Sequence, residues 1–316
     1  MMTSAVTYSI LSRDADELAA LVRDRLPSHF TLADVTDDPG RVAAAKLDVL
    51  LADPGLAATI IPHSDRLRWC QSTWAGVAPL VKLQKQDYVL TGVKGIFGEQ
   101  MREYVFAYLL YFSRNIATFN KQKSATPPCW HEAPTERLAD KTLGVMGAGS
   151  IAQALIAPAR AFGMRIIGLR RNNTDLLGFD AMYTRAQKLD FAAHCDVLVN
   201  LQPDTPDTAR SIDSAFLAAL PRGACLINAG RGSALDDDAL IAALDQGHLR
   251  AAVLDVFRHE PLPASHPFWS HPNIHITSHT AAISRPQDIA DIFIRNAKRF
   301  TRSEALEHVI DFTLGY

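Results

Sequence analysis

The chain has 316 residues, 48% of them hydrophobic, which is enough for two domains with a core each. Lys and Arg number 32 against 34 Asp and Glu, a net charge of -2, so there is no electrostatic footprint for nucleic acid and no basic run suited to a membrane surface. Cys70, Cys129, Cys195 and Cys225 are scattered without Cys-x-x-Cys spacing, which argues for reduced thiols rather than a disulfide framework or a zinc site, and no metal is expected. The first residues lack a basic-then-apolar signal pattern, and the longest apolar run, 104–112, is too short to span a bilayer. The sequence therefore reads as a soluble, cytoplasmic protein.

In chain order, 5–11 reads as a strand and 14–25 as an amphipathic helix with Leu18, Leu21 and Leu26 on one face. Further strands are expected at 29–35, 48–52, 67–73 and 88–91; the third of these five, apolar after Asp48, suits a strand buried on both faces. This alternation of strands and helices predicts a small parallel α/β unit. A long helix is expected over 100–119, followed by an irregular arm, 121–137, containing Pro127-Pro128, Trp130 and Pro134. The alternation then resumes with strands at 143–146, 164–169, 196–201, 224–228, 251–255 and 274–277, a helix at 236–245, and a last helix at 285–300 packed back on the first unit.

The stretch around Gly147-x-Gly149-x-x-Ala152 organises the second unit. An apolar strand enters it and a helical pattern (Ile151, Leu155, Ile156) leaves it, as in a dinucleotide-binding turn. Gly147 permits the tight turn, Gly149 lets a pyrophosphate approach the backbone, and Ala152 stands where a third glycine is usual. The helix start at Ser150 and Ile151 offers N–H groups and its positive dipole end to the phosphates. Ligands of such sheets bind beyond the carboxyl ends of the strands. There the sequence places Asn228 and Gly230-Arg231-Gly232, then Asp255 and His259-Glu260-Pro261, then Thr277-Ser278-His279. A guanidinium, a carboxylate and an imidazole at one sheet edge supply what carbonyl reduction needs: a fixed cation, a group that orients and raises a histidine, and a proton donor.

The glycine turn, Leu201-Gln-Pro203-Asp-Thr205-Pro-Asp-Thr208, Ile227-Asn-Ala229-Gly-Arg231-Gly, Leu254-Asp-Val-Phe257, Glu260-Pro-Leu-Pro263 and His279-Thr-Ala-Ala together resemble the D-2-hydroxyacid dehydrogenases over nearly the whole chain. Within that family the sequence is most similar to the glyoxylate/hydroxypyruvate reductase A group, through Trp74-Ala-Gly-Val77, the Trp130 segment, Arg170-Arg171, Ala281-Ala-Ile-Ser-Arg-Pro286 and Gly315-Tyr316. The resemblance implies a Rossmann-type doubly wound sheet in a cofactor domain, 98–283, inserted into a smaller flavodoxin-like substrate domain, 1–97 with 284–316. It implies Arg231, Glu260 and His279 as catalytic residues and a substrate-binding set of Trp74, Ala75, Gly76, Trp130 and Arg231. Pro203, Ala229 and Asp255 join the glycine turn as cofactor contacts, Asp255 toward the nicotinamide. It also implies a homodimer through the cofactor domains, with Trp130 reaching a pocket across the interface. Ser278 departs from the family by standing where proline often precedes the histidine.

NAD-specific sites place an Asp or Glu about 20 residues beyond the glycines, on the ribose hydroxyls. Here Arg170-Arg171-Asn172-Asn173-Thr174 follows the strand, and a carboxylate arrives only at Asp175. Arginine binds a 2′-phosphate bidentately, so NADPH is the expected cofactor, with NAD possible, Arg171 on the phosphate and Arg170 in place of the usual acid. The implied reaction is reduction of glyoxylate or hydroxypyruvate. Alternatives are a reductase of bulkier, phenylpyruvate-like 2-oxo acids, and a dinucleotide-sensing binding protein like the C-terminal-binding corepressors, whose long flexible tail and basic nuclear-targeting run the sequence does not resemble.

Overall fold

A computed structural model describes residues 5–171 and 176–315. Asn172, Asn173, Thr174, Asp175 and Tyr316, each named above, lie outside the described residues. The chain divides into two compact units, one of residues 1–96 and 284–316 and the other of residues 97–283.

In the first unit, strands β1 (Val6–Leu11), β2 (Phe30–Thr36), β3 (Val49–Ala52), β4 (Trp69–Ser72) and β5 (Val89–Thr91) form a parallel sheet in the order β2-β1-β3-β4-β5. That is the flavodoxin-like doubly wound order. Leu50, Cys70 and Leu90 face one core with Ala57, Ile61 and Leu80. On the other face, Trp69 is fully buried and stacks on Phe293 and Phe300 at centroid distances of 5.0 and 5.6 Å. Those phenylalanines belong to the helix Pro286–Thr301, which therefore packs on the first unit as its apolar face requires. The edge of β5 is covered by the C-terminal segment: Gly92 N–H donates to His308 and Ile310 N–H to Leu90. A covered edge cannot template pairing with another chain.

In the second unit, β6 (Thr142–Met146), β7 (Arg165–Arg170), β8 (Ala181–Thr184), β9 (Val197–Asn200), β10 (Ala224–Asn228), β11 (Leu249–Leu254) and β12 (Ile274–Ile276) form a parallel sheet ordered β12-β11-β10-β9-β6-β7-β8. Side chains alternate between two cores. Leu143, Val145, Val197, Val199, Cys225, Ile227, Ala251 and Val253 face one; Met146, Leu198, Leu226, Ala252 and Leu254 face the other. Both faces are dry, which is why these strands read as unbroken apolar runs.

Three expectations change. The helix expected over 100–119 is two helices, Gly98–Ser113 and Ile116–Ser124. They break at Asn115, which adopts φ 54°, a left-handed conformation that asparagine tolerates, and donates its side-chain N–H to Pro134 O at 2.9 Å. The helix after the glycine turn is also divided, into Ser150–Gln153 and Ile156–Ala161. Pro158 has no N–H to offer the Ala154 carbonyl, so the ladder lapses there. Edge strand β8 was not expected: its residues are half-buried on both sides and carry no alternation. Among the described residues, no helix is long and apolar enough to cross a membrane.

Gly144 on β6 shows how close the packing is, because a Cβ there would fall on Cys195 Sγ and lie 3.0 Å from Phe191 Cζ. Gly144→Ala is expected to destabilise the protein by about 1–3 kcal/mol through overpacking. Adding Cys195→Ala should recover part of the loss. Chemical denaturation of the two variants checks this; equal stability of Gly144→Ala and the parent would show that the core has slack.

Candidate active site

Order reverses where β6 lies between β7 and β9, and β6 runs directly into the glycine turn. Gly147 has φ 82°, and a Cβ on it would lie 2.8 Å from the Leu201–Gln202 backbone, so conformation and space both require glycine. Among the described residues, a Cβ on Gly149 would have only Gly147 O within 4 Å, at 3.9 Å. One side of this turn is thus pressed on the next loop while the other is clear for a ligand to approach, as a pyrophosphate cradle must be. Ala152 is fully buried. Because the helix starting at Ser150 is only four residues long, attraction for an anion rests on first-turn N–H groups more than on an extended dipole.

The peptide that presses on Gly147 also presses on Gly230, whose Cβ would sit 2.8 Å from Gln202 N and O. A Cβ on Gly232 would overlap the Phe257–Arg258 peptide. Arg231 is therefore flanked by two residues that let neighbouring strand-end loops touch it on both sides. Beneath it, Asn200 and Asn228 are fully buried and joined by an Nδ2–Oδ1 hydrogen bond of 2.9 Å. Asn228 Nδ2 donates to Arg231 O at 3.2 Å, and Asn200 Oδ1 accepts from Gln202 N–H at 3.2 Å. The Arg231 guanidinium donates to Gly230 O at 2.7 Å.

On the adjoining strand ends, Glu260 accepts from Phe257 N–H at 2.8 Å through Oε1 and pairs with His279 Nδ1 at 2.7 Å through Oε2. His279 has φ 58°, unusual for a residue with a Cβ. Its backbone is held by Asp255: His279 N–H donates to Asp255 O at 2.8 Å, Thr280 N–H to Oδ1 at 2.8 Å and Ala281 N–H to Oδ2 at 3.0 Å. Thr277 Oγ1 donates to Oδ1 at 2.6 Å. Asp255 is buried, and its carboxylate has capacity for a further donor.

The unit carrying this geometry matches the family model for the D-isomer specific 2-hydroxyacid dehydrogenase NAD binding domain over residues 106–281. The chain belongs to the D-isomer specific 2-hydroxyacid dehydrogenases. A family member from Aeromonas salmonicida is 36% identical with a TM-score of 0.91, the match covering 98% of this chain and 100% of that one. An NADPH-dependent glyoxylate/hydroxypyruvate reductase from Sinorhizobium meliloti, solved with NADP and sulfate, is 27% identical with a TM-score of 0.86 over 98% and 100% of the two chains. A dehydrogenase of the family from Xanthobacter autotrophicus, solved with NADPH and MES, is 26% identical with a TM-score of 0.85 over 99% and 100%. The protein is accordingly an NAD(P)-dependent oxidoreductase.

The other expected site residues of the dehydrogenase fall as follows. Arg170 closes β7, half-buried, with exposed Arg171 next to it. Pro203 is half-buried and its carbonyl accepts from Thr208 Oγ1 at 2.7 Å. Ala229 N–H donates to Asn200 O. Trp74, Ala75 and Gly76 follow β4 in the first unit, where the Arg13 guanidinium lies 5.1 Å above the Trp74 ring. Trp130 is 96% exposed. Asn200 and Tyr104 were not singled out in the sequence, and Thr277 was named there only as a strand end. Asn200, ending an apolar strand as Asn228 does, was the available signal.

The charges act on one another. The hydrogen bond to Glu260 holds His279 above the usual histidine range, against the opposing effects of burial and the Arg231 charge. Burial pushes the Glu260 carboxyl up, but the His279 and Phe257 hydrogen bonds outweigh it and leave the group below the usual range. Burial lowers Arg231, while Asp204 and Glu260 favour its charge, and it remains a cation. With Glu260→Gln, the charge-assisted bond is lost while Arg231 stays, so the His279 titration should move to lower pH. NMR titration of the imidazole reads this directly; an unmoved midpoint would show that Glu260 does not set it.

Proposed function

We propose that the dehydrogenase reduces small 2-oxo acids, glyoxylate and hydroxypyruvate, to glycolate and D-glycerate with NADPH, through Arg231, Glu260 and His279. The observation that carries the reading is the 2.7 Å His279–Glu260 pair on the strand ends next to Arg231, beyond the glycine turn. NADPH, when bound, supplies the hydride that reaches C2 of the substrate. Since Nδ1 is engaged by Glu260, Nε2 of protonated His279 is the atom that gives a proton to the carbonyl oxygen. Glu260 keeps that imidazole charged and oriented. Arg231 binds the substrate carboxylate and polarises the carbonyl, adding a fixed cation where negative charge develops. The neutral His279 left after the transfer is reprotonated from solvent, so reduction is fastest below the His279 pKa and fades as pH rises through it.

The first unit serves in this reading as the substrate domain, its Ala75 and Gly76 N–H groups holding the carboxylate beside Trp74. Gly147, Gly149, Ser150 and Ile151 take the pyrophosphate, with Pro203 and Ala229 lining the cofactor and Asp255 available to the nicotinamide amide. Arg170 and Arg171 stand where a ribose-binding acid would select NAD, and relatives at similar identity hold NADP or NADPH. A homodimer through the second unit would cover Ile116, Phe119 and Trp130, which are exposed.

Steady-state kcat/KM for glyoxylate and hydroxypyruvate, with phenylpyruvate in the panel, measured with each reduced cofactor, tests the whole reading. His279→Ala should lose about 10²–10⁴ in kcat. Arg170→Ala/Arg171→Ala should lose roughly ten- to a hundredfold in kcat/KM for NADPH but little for NADH, since a charge-assisted hydrogen bond is worth about 1.5–3 kcal/mol. A parent enzyme that prefers NADH, or a His279→Ala variant with full turnover, would refute the respective assignment.

A further inference from the structure

The helix Gly98–Ser113 lays one face along the segment 275–283, in the middle of which His279 stands. Residues 100, 104 and 108, one turn apart, lie on a single helix face. Gln100 makes a reciprocal amide pair with Ile283, donating to its carbonyl at 2.9 Å and accepting its N–H at 3.1 Å. Tyr104 OH lies 2.8 Å from Thr277 Oγ1. The Tyr108 ring lies 6.1 Å from that of His275.

The hydrogen-bond chain through Tyr104 has one possible direction. An ionised carboxylate only accepts, so Thr277 must spend its single proton on Asp255 Oδ1 at 2.6 Å. Tyr104 must then donate to Thr277. Burial raises the Tyr104 phenol above its ordinary pKa, so it remains a donor at neutral pH. Asp255, fixed in this way, receives the N–H groups of the two residues after His279, and its carbonyl receives that of His279 itself. A backbone at φ 58° with a Cβ persists only where its surroundings over-determine it. Here Asp255 supplies three of the main-chain hydrogen bonds that do so.

We propose that Tyr104, Thr277 and Asp255 form a positioning chain that holds His279 in its left-handed conformation and thereby aims the imidazole at the reacting carbonyl. The inference rests on the reading of His279 as the proton donor. Tyr104 and Thr277 act through Asp255 and touch no reacting atom. Their removal should therefore lower kcat more than it weakens cofactor binding, and should make proton transfer more rate-limiting.

Thr277→Val removes the hydroxyl at nearly constant volume, and Thr277→Ser keeps it. Thr277→Val is expected to lose about ten- to a hundredfold in kcat for glyoxylate reduction, the scale of a small misplacement of a catalytic group. Its NADPH Kd should change much less than kcat, and its solvent isotope effect on kcat should be larger. Thr277→Ser should restore most of the rate. Tyr104→Phe, which deletes one oxygen from a half-buried ring, should fall in the same direction, and serves if Thr277→Val does not fold. The double variant should be no slower than Thr277→Val alone, because a broken chain cannot be broken twice. Parental kcat in Thr277→Val, a serine variant as slow as valine, or loss of NADPH binding as the main defect would overturn the inference. His279→Ala measured alongside separates the two levels: full turnover there removes the proton-donor reading, whereas a dead His279→Ala beside a parental Thr277→Val removes only the positioning chain.

Discussion

The second unit depends on contacts between backbones. The Leu201–Gln202 peptide is wedged between Gly147 and Gly230, and the Phe257–Arg258 peptide lies against Gly232. These three positions bring the loops after β6, β9, β10 and β11 to within van der Waals distance of one another, with no side chain between. A peptide surface has no rotamers to settle, so the positions of Arg231, next to two of the glycines, and of Glu260, bonded to Phe257 N–H, follow from main-chain packing. Any Cβ here would press on backbone, which cannot swing aside as a flexible side chain can. The site's rigidity thus comes from the smallest residues in it.

Electrostatics is laid over that frame. A cation, a carboxylate and an imidazole share the edge, and each changes the others. Glu260 raises His279 while the Arg231 charge lowers it. Asp204, bonded to Ser233 Oγ at 2.6 Å, favours the Arg231 charge along with Glu260. The half-exposed setting of His279, with 50% of its side chain accessible, keeps these effects moderate. A histidine held above its ordinary range by a carboxylate has the chemistry that general-acid work calls for.

Much of this was legible in the sequence for identifiable reasons. Strands such as 196–201 and 224–228 were visible because a sheet covered on both faces selects unbroken apolar runs, and Arg231, Glu260 and His279 were visible because polar residues follow those runs immediately. What escaped was set by partners distant in sequence. Asn115 could be recognised as a helix break only once Pro134 O was found bonded to it. Pro158 was readable, but the expected pattern of Ile151, Leu155 and Ile156 lies wholly before it and runs through the 154–155 break without interruption. β8 pairs β7 over four residues of no marked pattern. Asp255 was expected, from the family resemblance, to be a cofactor contact; its hydrogen bonds to Thr277, Thr280 and Ala281 depend on how the next loop folds back.

The same device recurs in the first unit. Asp53 follows β3, is buried, and accepts from Ser12 Oγ at 2.8 Å, Arg13 N–H at 3.1 Å and Thr73 Oγ1 at 2.5 Å, tying together the ends of β1, β3 and β4. Asp255 likewise follows β11 and gathers the loop after β12. In parallel sheets all strands stop on one side, so that edge accumulates loop N–H groups that no ladder satisfies. Leaving them buried and unpaired costs about 1–3 kcal/mol each. A short carboxylate at a strand end accepts several at once, and a threonine on the neighbouring strand supplies a further donor of fixed reach. The device satisfies the edge and stiffens it together. In Asp53 it fixes the start of the loop bearing Trp74, Ala75 and Gly76; in Asp255, the loop bearing His279. The polar residues buried at each sheet's edge are therefore what the parallel topology requires there, and the more exposed side chains beyond them are carried on the loops they hold.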